Sequence, residues 1–334
     1  VNMSDITNLK INGEQEEGFE RSLRPKNFSE VIGRELEKKN LHVMIESAKK
    51  RRKALDHILF YGPPGLGKTS FAHVIANEFG SNIYVTNGSL ITKASDLASI
   101  LTSQEDYSIL FIDEIHRLKP QIEEVLYPAM EDNMLDIIIG KGTSAKTLRI
   151  ELPKITIIGA TTKLAMLSAP LRERFGMNMR LDFYSIDELV KIIMQKADML
   201  NIDIKPEQAR IIAERSRMTS RIAIRILKRA RDLALVNNLT MINSEIIKEV
   251  MSMLSIDQNG LDRLDRDLIL SLYSNFNNKP VGLNSLSASI SEDQDTIESV
   301  HEPYLLKIGI INRTPRGRIL TDKGLKLAME LLKL

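Results

Sequence analysis

The sequence predicts an α/β protein: a parallel sheet crossed by helices, then a small helical domain, then a third, mixed region. Three observations carry this. Short apolar runs alternate with helical patterns as far as about Phe183, as strands joined by crossover helices do. The stretch 185–255, with "IDELVKIIMQKADML" and "SRIAIRILKRARDLALV", has helical periodicity and no strand-like run. Between the apolar run "HILFY" and the helical pattern "SFAHVIANEF" sits "GPPGLGKTS", a phosphate-loop pattern in the setting that pattern requires.

Composition bounds the rest. A chain of 334 residues is long for one core, so two or three domains are expected. With 43% apolar and 27% charged residues, it reads as an ordinary globular protein. The absence of cysteine excludes disulfides and cysteine-ligated zinc and fits a reducing compartment. No apolar run approaches a membrane span and no signal-peptide core is visible, so a cytoplasmic protein is expected. The five histidines are scattered, without H-E-x-x-H, which leaves metal hydrolysis unsupported. Net charge is only +2, but Asn284–Glu302 holds five acids and no Lys or Arg, whereas Pro303–Leu334 holds seven Lys and Arg against two acids. That asymmetry predicts a basic face backed by an acidic one.

Along the chain, residues 1–20 are polar and expected to be mobile. Buried strands are predicted at 57–61, 82–86, 108–112 and 155–160. In the phosphate loop, Gly65 and Gly67 free backbone N–H groups to wrap phosphates, Lys68 reaches the β- and γ-phosphates, and Thr69, followed by Ser70, ligates Mg²⁺. "SILFIDEIHRL" ends a strand in Asp113, placed to hold the metal, and Glu114, placed to polarise an attacking water. "IGATT" ends another in Thr161 and Thr162, whose hydroxyls can sense a γ-phosphate, and Arg172 and Arg174 follow in a short turn. The segment "MLDIIIGKGTSAKTLRIELP" reads as a hairpin with a Gly-Lys-Gly tip. In its second strand Leu148, Ile150 and Leu152 alternate with charged residues, giving an apolar face that either packs on its own domain or meets a partner. "SIDQNGLDRLDRD" reads as a linker, and "LLKIGIINRTPRGRILT" as two short strands around a turn with three arginines.

Together these stretches resemble the AAA+ ATPases and, more narrowly, the RuvB family of Holliday-junction branch-migration motors. The resemblance is carried by "SLRPKNFSEVIG", "GPPGLGKTS", "LFIDEIHRL", "EEVLYPAMED", "DIIIGKG", "IGATT", "PLRERFG", "PVGL", "EPYL" and "RTPRGR", in family order from Leu23 to Thr321. It implies a large AAA+ domain over 21–183, a small helical lid over 184–255 and a C-terminal winged-helix head over 256–334. It also implies an ATP hydrolase using ATP and Mg²⁺, acting in recombination and DNA repair. Such a protein works as a homo-hexameric ring on duplex DNA with a RuvA-type junction-binding partner and, indirectly, a junction resolvase.

The resemblance assigns roles residue by residue. Arg174 matches the arginine finger given to the neighbouring subunit; Leu23 and Arg24 match the segment beside the adenine, and Tyr184 the residue near the base. Glu131, Asp132 and Asn133 match a stretch at the nucleotide interface, and Arg221 the second sensor arginine. Leu148 and Ile150 would meet the RuvA-type partner, while Arg313, Arg316 and Arg318 would grip DNA phosphates from the wing without reading bases. The chain departs from the family twice: "MTSR" stands where Gly-Thr-Pro-Arg is usual, removing a preset turn, and "NFNNKPVGL" lacks the usual glycine-rich run. Arg225 and Arg229 read as a solvated helix face.

Other readings fit less well. An AAA+ protein unfoldase usually carries an aromatic pore loop, and "NGSLITKASDLASIL" has no aromatic. A clamp-loader-like switch would show Ser-Arg-Cys where "RERFG" stands. A purely structural nucleotide module would not need Glu114 together with Arg174.

Overall fold

The computed structural model describes residues 23–139 and 146–333. The segment 1–20, expected to be mobile, and the Gly-Lys-Gly tip at 140–142 lie outside them. The chain forms two compact units, one within Val1–Phe60, Lys68–Thr161 and Ala165–Met179, the other within Tyr61–Gly67, Thr162–Leu164 and Arg180–Leu334. The division cuts through the motifs: the phosphate loop up to Gly67 and the residues after Thr161 group with the C-terminal half. Backbone hydrogen bonds account for part of this, since Leu181 donates to the Tyr61 carbonyl at 2.8 Å and Arg221 to the Gly65 carbonyl at 3.3 Å.

In the first unit, helix Glu35–Arg51 precedes β1 (Ile58–Tyr61), and helix Lys68–Phe79 follows the phosphate loop. Next come β2 (Ile83–Asn87), helix Ala94–Thr102, β3 (Ile109–Asp113) and helix Pro120–Glu131. The antiparallel hairpin β4 (Met134–Ile139) and β5 (Lys146–Glu151) precedes β6 (Thr156–Thr161) and β7 (Met177–Arg180). Five strands make one sheet in the order β2-β3-β6-β1-β7, with β2–β3 and β3–β6 parallel. Each of the four expected strands starts one residue later than its apolar run, and β2, expected to be buried, is instead an edge strand with Tyr84 and Val85 exposed. The inner β3 and β6 are buried almost throughout, which is why their sequences read as unbroken apolar stretches. The sequence did not reveal β7: its "MNMR" is an edge strand in which only Met179 is buried.

His57, at the entry to β1, locks neighbouring elements together. Its Nδ1 accepts from the Ile157 N–H at 2.9 Å and its Nε2 lies 3.1 Å from the Met130 carbonyl. Accepting at Nδ1 and donating at Nε2 requires the neutral ring, and burial lowers its pKa accordingly.

The second unit begins, beyond β7, with helices Ile186–Met199, Pro206–Glu214, Ser220–Val236 and Ser244–Met253. Ser185 and Glu188 form a capping box on the first. This region is not purely helical, as the sequence had predicted. The two-residue strands β8 (Asp203–Ile204) and β9 (Met241–Ile242) pair in parallel, too short to leave a period-2 pattern. The remaining elements are helices Arg263–Leu270, Leu283–Ile290, Gln294–Thr296, Glu302–Lys307 and Asp322–Leu331, with the hairpin β10 (Ile311–Thr314) and β11 (Gly317–Leu320). π-Helical turns, Ser271–Asn275 and Ile297–His301, extend two of these helices.

The "PVGL" and "NFNNK" stretches find their reason here. Val281 exchanges backbone hydrogen bonds with Arg318 at 2.9 and 2.7 Å, adding a third, one-residue segment alongside β11. A Cβ on Gly317 (φ +132°) would lie 2.1 Å from the Val281 carbonyl oxygen, so only glycine fits. In place of a glycine run, Asn277 and Asn278 take the left-handed region (φ 48° and 52°), where asparagine is the best-tolerated alternative. Asn278 then accepts from the Leu320 N–H at 2.8 Å.

A buried ionic cluster joins the loop before helix Ser220–Val236 to the C-terminal helices. One Arg217 Nη lies 2.9 Å from both Asp262 and Asp265, the other donates to the Val300 carbonyl at 3.0 Å, and the guanidinium sits 5.1 Å from the Tyr304 ring centre. His301 Nδ1 is 2.8 Å from the fully buried Asp265. Asp262, Asp265 and His301 are close enough to share a cation, and Arg217 is that cation. Burial pushes the Tyr304 hydroxyl up to about 12. Replacing Arg217 by Met should strand the Asp265 carboxylate and cost about 3–5 kcal/mol, read as a lower urea midpoint for the C-terminal unit. An unchanged midpoint would contradict that assignment.

Candidate functional site

Gly62, Gly65 and Gly67 all have positive φ (140°, 78° and 90°), so the loop Tyr61–Gly67 curls tightly into the start of helix Lys68–Phe79. Lys68, 7% exposed, opens that helix, with Thr69 and Ser70 in its first turn. Backbone N–H groups at a helix N-terminus beside a buried ammonium fit the phosphates of a nucleotide.

The lid grips this loop directly. Beyond the Arg221 bond, Ser220 Oγ donates to the Gly65 carbonyl at 3.1 Å and Tyr184 Oη to the Leu66 carbonyl at 3.4 Å. A Cβ on Gly65 would meet Arg221 Cβ at 3.1 Å, so glycine here also allows the lid's approach. These contacts explain the "MTSR" departure. Met218, where the family has glycine, is left-handed (φ 56°), as is Arg217 (φ 54°), at about 1–2 kcal/mol each. Met218 packs on the hydrophobic core of the C-terminal region and accepts the Tyr184 N–H at 3.1 Å. Ser220, where the family has proline, starts the helix and supplies a hydroxyl that proline lacks. The turn survives, held by packing and one added hydrogen bond. The Arg221 side chain is exposed.

On the carboxyl edge of the sheet, Asp113 ends β3 and accepts the Glu114 N–H at 3.0 Å. Glu114 is left-handed (φ 46°). His116 Nδ1 lies 3.2 Å from Glu114 Oε2 and 2.9 Å from Thr161 Oγ1. One buried ring thus connects the acid after β3 to the threonine ending β6. Sequence reading passed over His116, although it stands two residues after Glu114. Thr161 is fully buried and Thr162 half-buried.

Arg174 follows helix Ala169–Glu173. Its guanidinium stacks 4.2 Å from the Tyr127 ring centre, donates to the Pro170 carbonyl at 2.8 Å and pairs with Glu131 at 3.0 Å. Asp132 and Asp136 both lie near Arg149, at 3.4 and 3.3 Å, and Asn133 is left-handed with its carbonyl taken by Leu152. Leu23 is buried and Arg24 half-buried, in a segment tied to helix Lys68–Phe79 by Phe28 N–H on Glu78 and Asn77 on the Lys26 carbonyl. In the hairpin, Leu152 is buried, Ile150 half-buried and Leu148 48% exposed. Its apolar face therefore packs at the base and opens to solvent further along.

The C-terminal hairpin holds a surprise for the sequence reading. Arg313 and Arg318 face each other across the strands and both fork onto Glu302, a carboxylate only 1% exposed. Arg313 reaches it at 2.9 and 2.7 Å, Arg318 at 3.0 Å through both nitrogens. Burial alone would raise the Glu302 pKa, but the hydrogen bonds from Arg313 and Arg318 outweigh it and hold it below the usual carboxylate range. Arg318 is only 12% exposed, Arg313 half-exposed. Arg316, at the turn, is exposed and forms no ion pair with any described side chain.

A five-stranded sheet, a phosphate loop after β1, paired acids after β3, threonines ending β6 and a lid bonded to the loop define an AAA+ P-loop ATPase. Family models match in sequence along the chain: the Holliday junction DNA helicase RuvB P-loop domain over residues 23–181, the RuvB AAA lid domain over 184–257 and the RuvB C-terminal winged helix domain over 258–329. The chain belongs to the RuvB family. It is 50% identical over 321 residues to the Holliday junction branch migration complex subunit RuvB of Clostridium kluyveri, covering 96% of this chain and 91% of the relative. Solved structures of Thermotoga maritima RuvB are similar throughout. That of its Holliday junction branch migration motor has a TM-score of 0.84 at 46% identity, covering 93% of this chain and 98% of the other. A mutant of the same protein reaches 0.85 at the same identity and coverage. Among the described residues no helix is long and apolar enough to cross a membrane.

The split among the arginines gives an expected outcome. Arg318→Ala should lower the melting temperature of the head by leaving Glu302 half-compensated. Arg316→Ala should leave it unchanged and, if the exposed turn meets duplex phosphates, weaken all duplex sequences alike and lower the salt slope of binding by about 1. Calorimetry and a salt titration of duplex affinity check both.

Proposed function

We propose that the protein is an ATP-driven duplex-DNA translocase that moves Holliday junctions by branch migration in recombination and repair, in the cytoplasm. It would act as a homo-hexameric ring with a RuvA-type junction-binding partner, and indirectly with a junction resolvase. The observation carrying this reading is the Glu114–His116–Thr161 contact on the carboxyl edge of the sheet. It sets the Glu114 carboxylate, the group that would polarise the attacking water, beside a buried ring, as a hydrolytic site needs and a module that only binds nucleotide does not.

Lys68 would neutralise the β- and γ-phosphate oxygens of ATP, with Gly65, Gly67 and Ser70 shaping the cradle. Thr69 and Asp113 would hold Mg²⁺, which would supply neutralisation of phosphate charge. Glu114 would accept a proton from the attacking water and His116 would fix its carboxylate. Thr162 and Arg221 would report the γ-phosphate, while Leu23, Arg24 and Tyr184 would border the base. Glu131, Asp132 and Asn133 would line the nucleotide interface between subunits. Arg174 would serve the neighbouring subunit's site, leaving Glu131 as it reaches across. Leu148 and Ile150, at the open part of the hairpin face, would meet the partner. On the wing, Arg316 and the exposed side of Arg313 would touch phosphates, with Arg318 holding the wing in shape.

Two substitutions test this. Arg174→Ala should lower DNA-stimulated ATP turnover about 10³-fold and leave nucleotide affinity unchanged. Glu114→Gln should abolish turnover yet still bind ATP. A wild-type turnover that duplex DNA and partner fail to raise would refute the motor reading.

A further inference from the structure

Lys163 is the residue after Thr161 and Thr162, and nothing in the nucleotide chemistry uses it. Its ammonium, 19% exposed, pairs with Asp295 and, at 3.2 Å, with Glu298, both on the helical segment Gln294–His301 of the C-terminal region. Burial alone would lower its pKa, but the hydrogen bonds to Asp295 and Glu298 more than offset this and raise it. Glu298 also faces the wing: its Oε1 lies 3.5 Å from Arg313 Nη2 and 3.8 Å from Arg318 Nη2. One turn further on, Glu302 takes the forks of both arginines.

The result is a continuous network of three cations (Lys163, Arg313, Arg318) and three anions (Asp295, Glu298, Glu302). Glu298 is the shared member. Lys163 holds its Oε2, while the wing arginines lie 3.5 and 3.8 Å from its Oε1, farther than the 2.7–3.0 Å of their bonds to Glu302, so Lys163 anchors Glu298 at the edge of their reach. Arg313 is half-exposed, so a duplex phosphate and Glu298 compete for the same guanidinium.

We infer that Lys163 is a positioning residue that couples the loop after the sensor threonines to the wing, by drawing Glu298 away from Arg313. This rests on the motor reading above, because it supposes that the wing holds DNA and that the loop responds to nucleotide. While Lys163 holds Glu298, Arg313 is available to phosphate. When the loop shifts and Lys163 withdraws, Glu298 turns to the wing arginines and the grip on DNA weakens. Nucleotide state thereby reaches the wing within one chain.

The test uses the full chain with a fluorescent blunt duplex and four proteins: wild type, Lys163→Ala, Glu298→Gln and the double variant. Affinity is read without nucleotide and with ADP or a non-hydrolysable ATP analogue, and ATP turnover with and without duplex. Lys163→Ala should weaken duplex binding by about two- to fivefold, reduce the difference between nucleotide states and lower DNA-stimulated turnover. Basal turnover should persist. Lys163→Arg should behave as wild type. With Glu298→Gln in place, removing Lys163 should have no further effect on affinity, a non-additivity that general loss of stability would not produce. A Lys163→Ala effect equally large in both backgrounds, or absent with wild-type coupling intact, would overturn the inference alone. Wild type that fails to bind duplex would overturn the motor reading and, with it, this inference.

Discussion

The carbonyl oxygen of Gly65 is the point on which the C-terminal unit turns. It accepts both the Arg221 N–H and the Ser220 hydroxyl, while Tyr184 holds the next carbonyl, that of Leu66. A phosphate loop bonded this way is no separate flap: it shares its backbone hydrogen bonds with the first turn of helix Ser220–Val236. The residues just before that turn, Arg217 and Met218, are anchored in turn, one in the Asp262–Asp265–His301 cluster and the other on the hydrophobic core beside it. Both have left-handed backbones, strain that persists only where surrounding contacts over-determine it. Loop, lid and head are therefore linked by short steps through hydrogen bonds, apolar packing and a buried ion cluster.

The wing extends the same logic with charge. Placing two guanidinium forks on one buried carboxylate gives each arginine the other's company at little repulsive cost, because Glu302 sits between them. Such clusters are stiff, since removing any member exposes an uncompensated buried charge. Rigidity would suit the proposed grip on phosphates at fixed spacing, and it confines the tunable part to the edge, at Glu298 and the half-exposed Arg313. The Met-Thr-Ser-Arg turn belongs to the same pattern: a family glycine and proline are absent, and packing by Met218 with bonding by Ser220 stands in for them.

How much of this the sequence carried depends on range. β1, β3 and β6 were legible because strands in the middle of a sheet leave unbroken apolar runs; β7, an edge strand with one buried side chain, leaves none. The phosphate loop was legible because its glycines, lysine and threonine are contiguous, and the Asp113–Glu114 pair because it ends a strand. Contacts across sequence were not. Lys163 and Glu298 are 135 residues apart, and His116 meets Thr161 across 45. The acidic and basic stretches near the C-terminus did predict opposed faces, but not that one acid would engage two of the three wing arginines. That pairing reverses the roles of chemically identical residues: Arg318 turns inward and Arg316 outward.

The central claim is that nucleotide state is felt at the wing through contacts within one chain. Its most direct test is the affinity of the full chain for a blunt duplex, measured with a non-hydrolysable ATP analogue and again with ADP. The account predicts different affinities, and by linkage the same factor must appear when the affinities for analogue and ADP are measured with and without duplex. Equal duplex affinities in the two nucleotide states would contradict it.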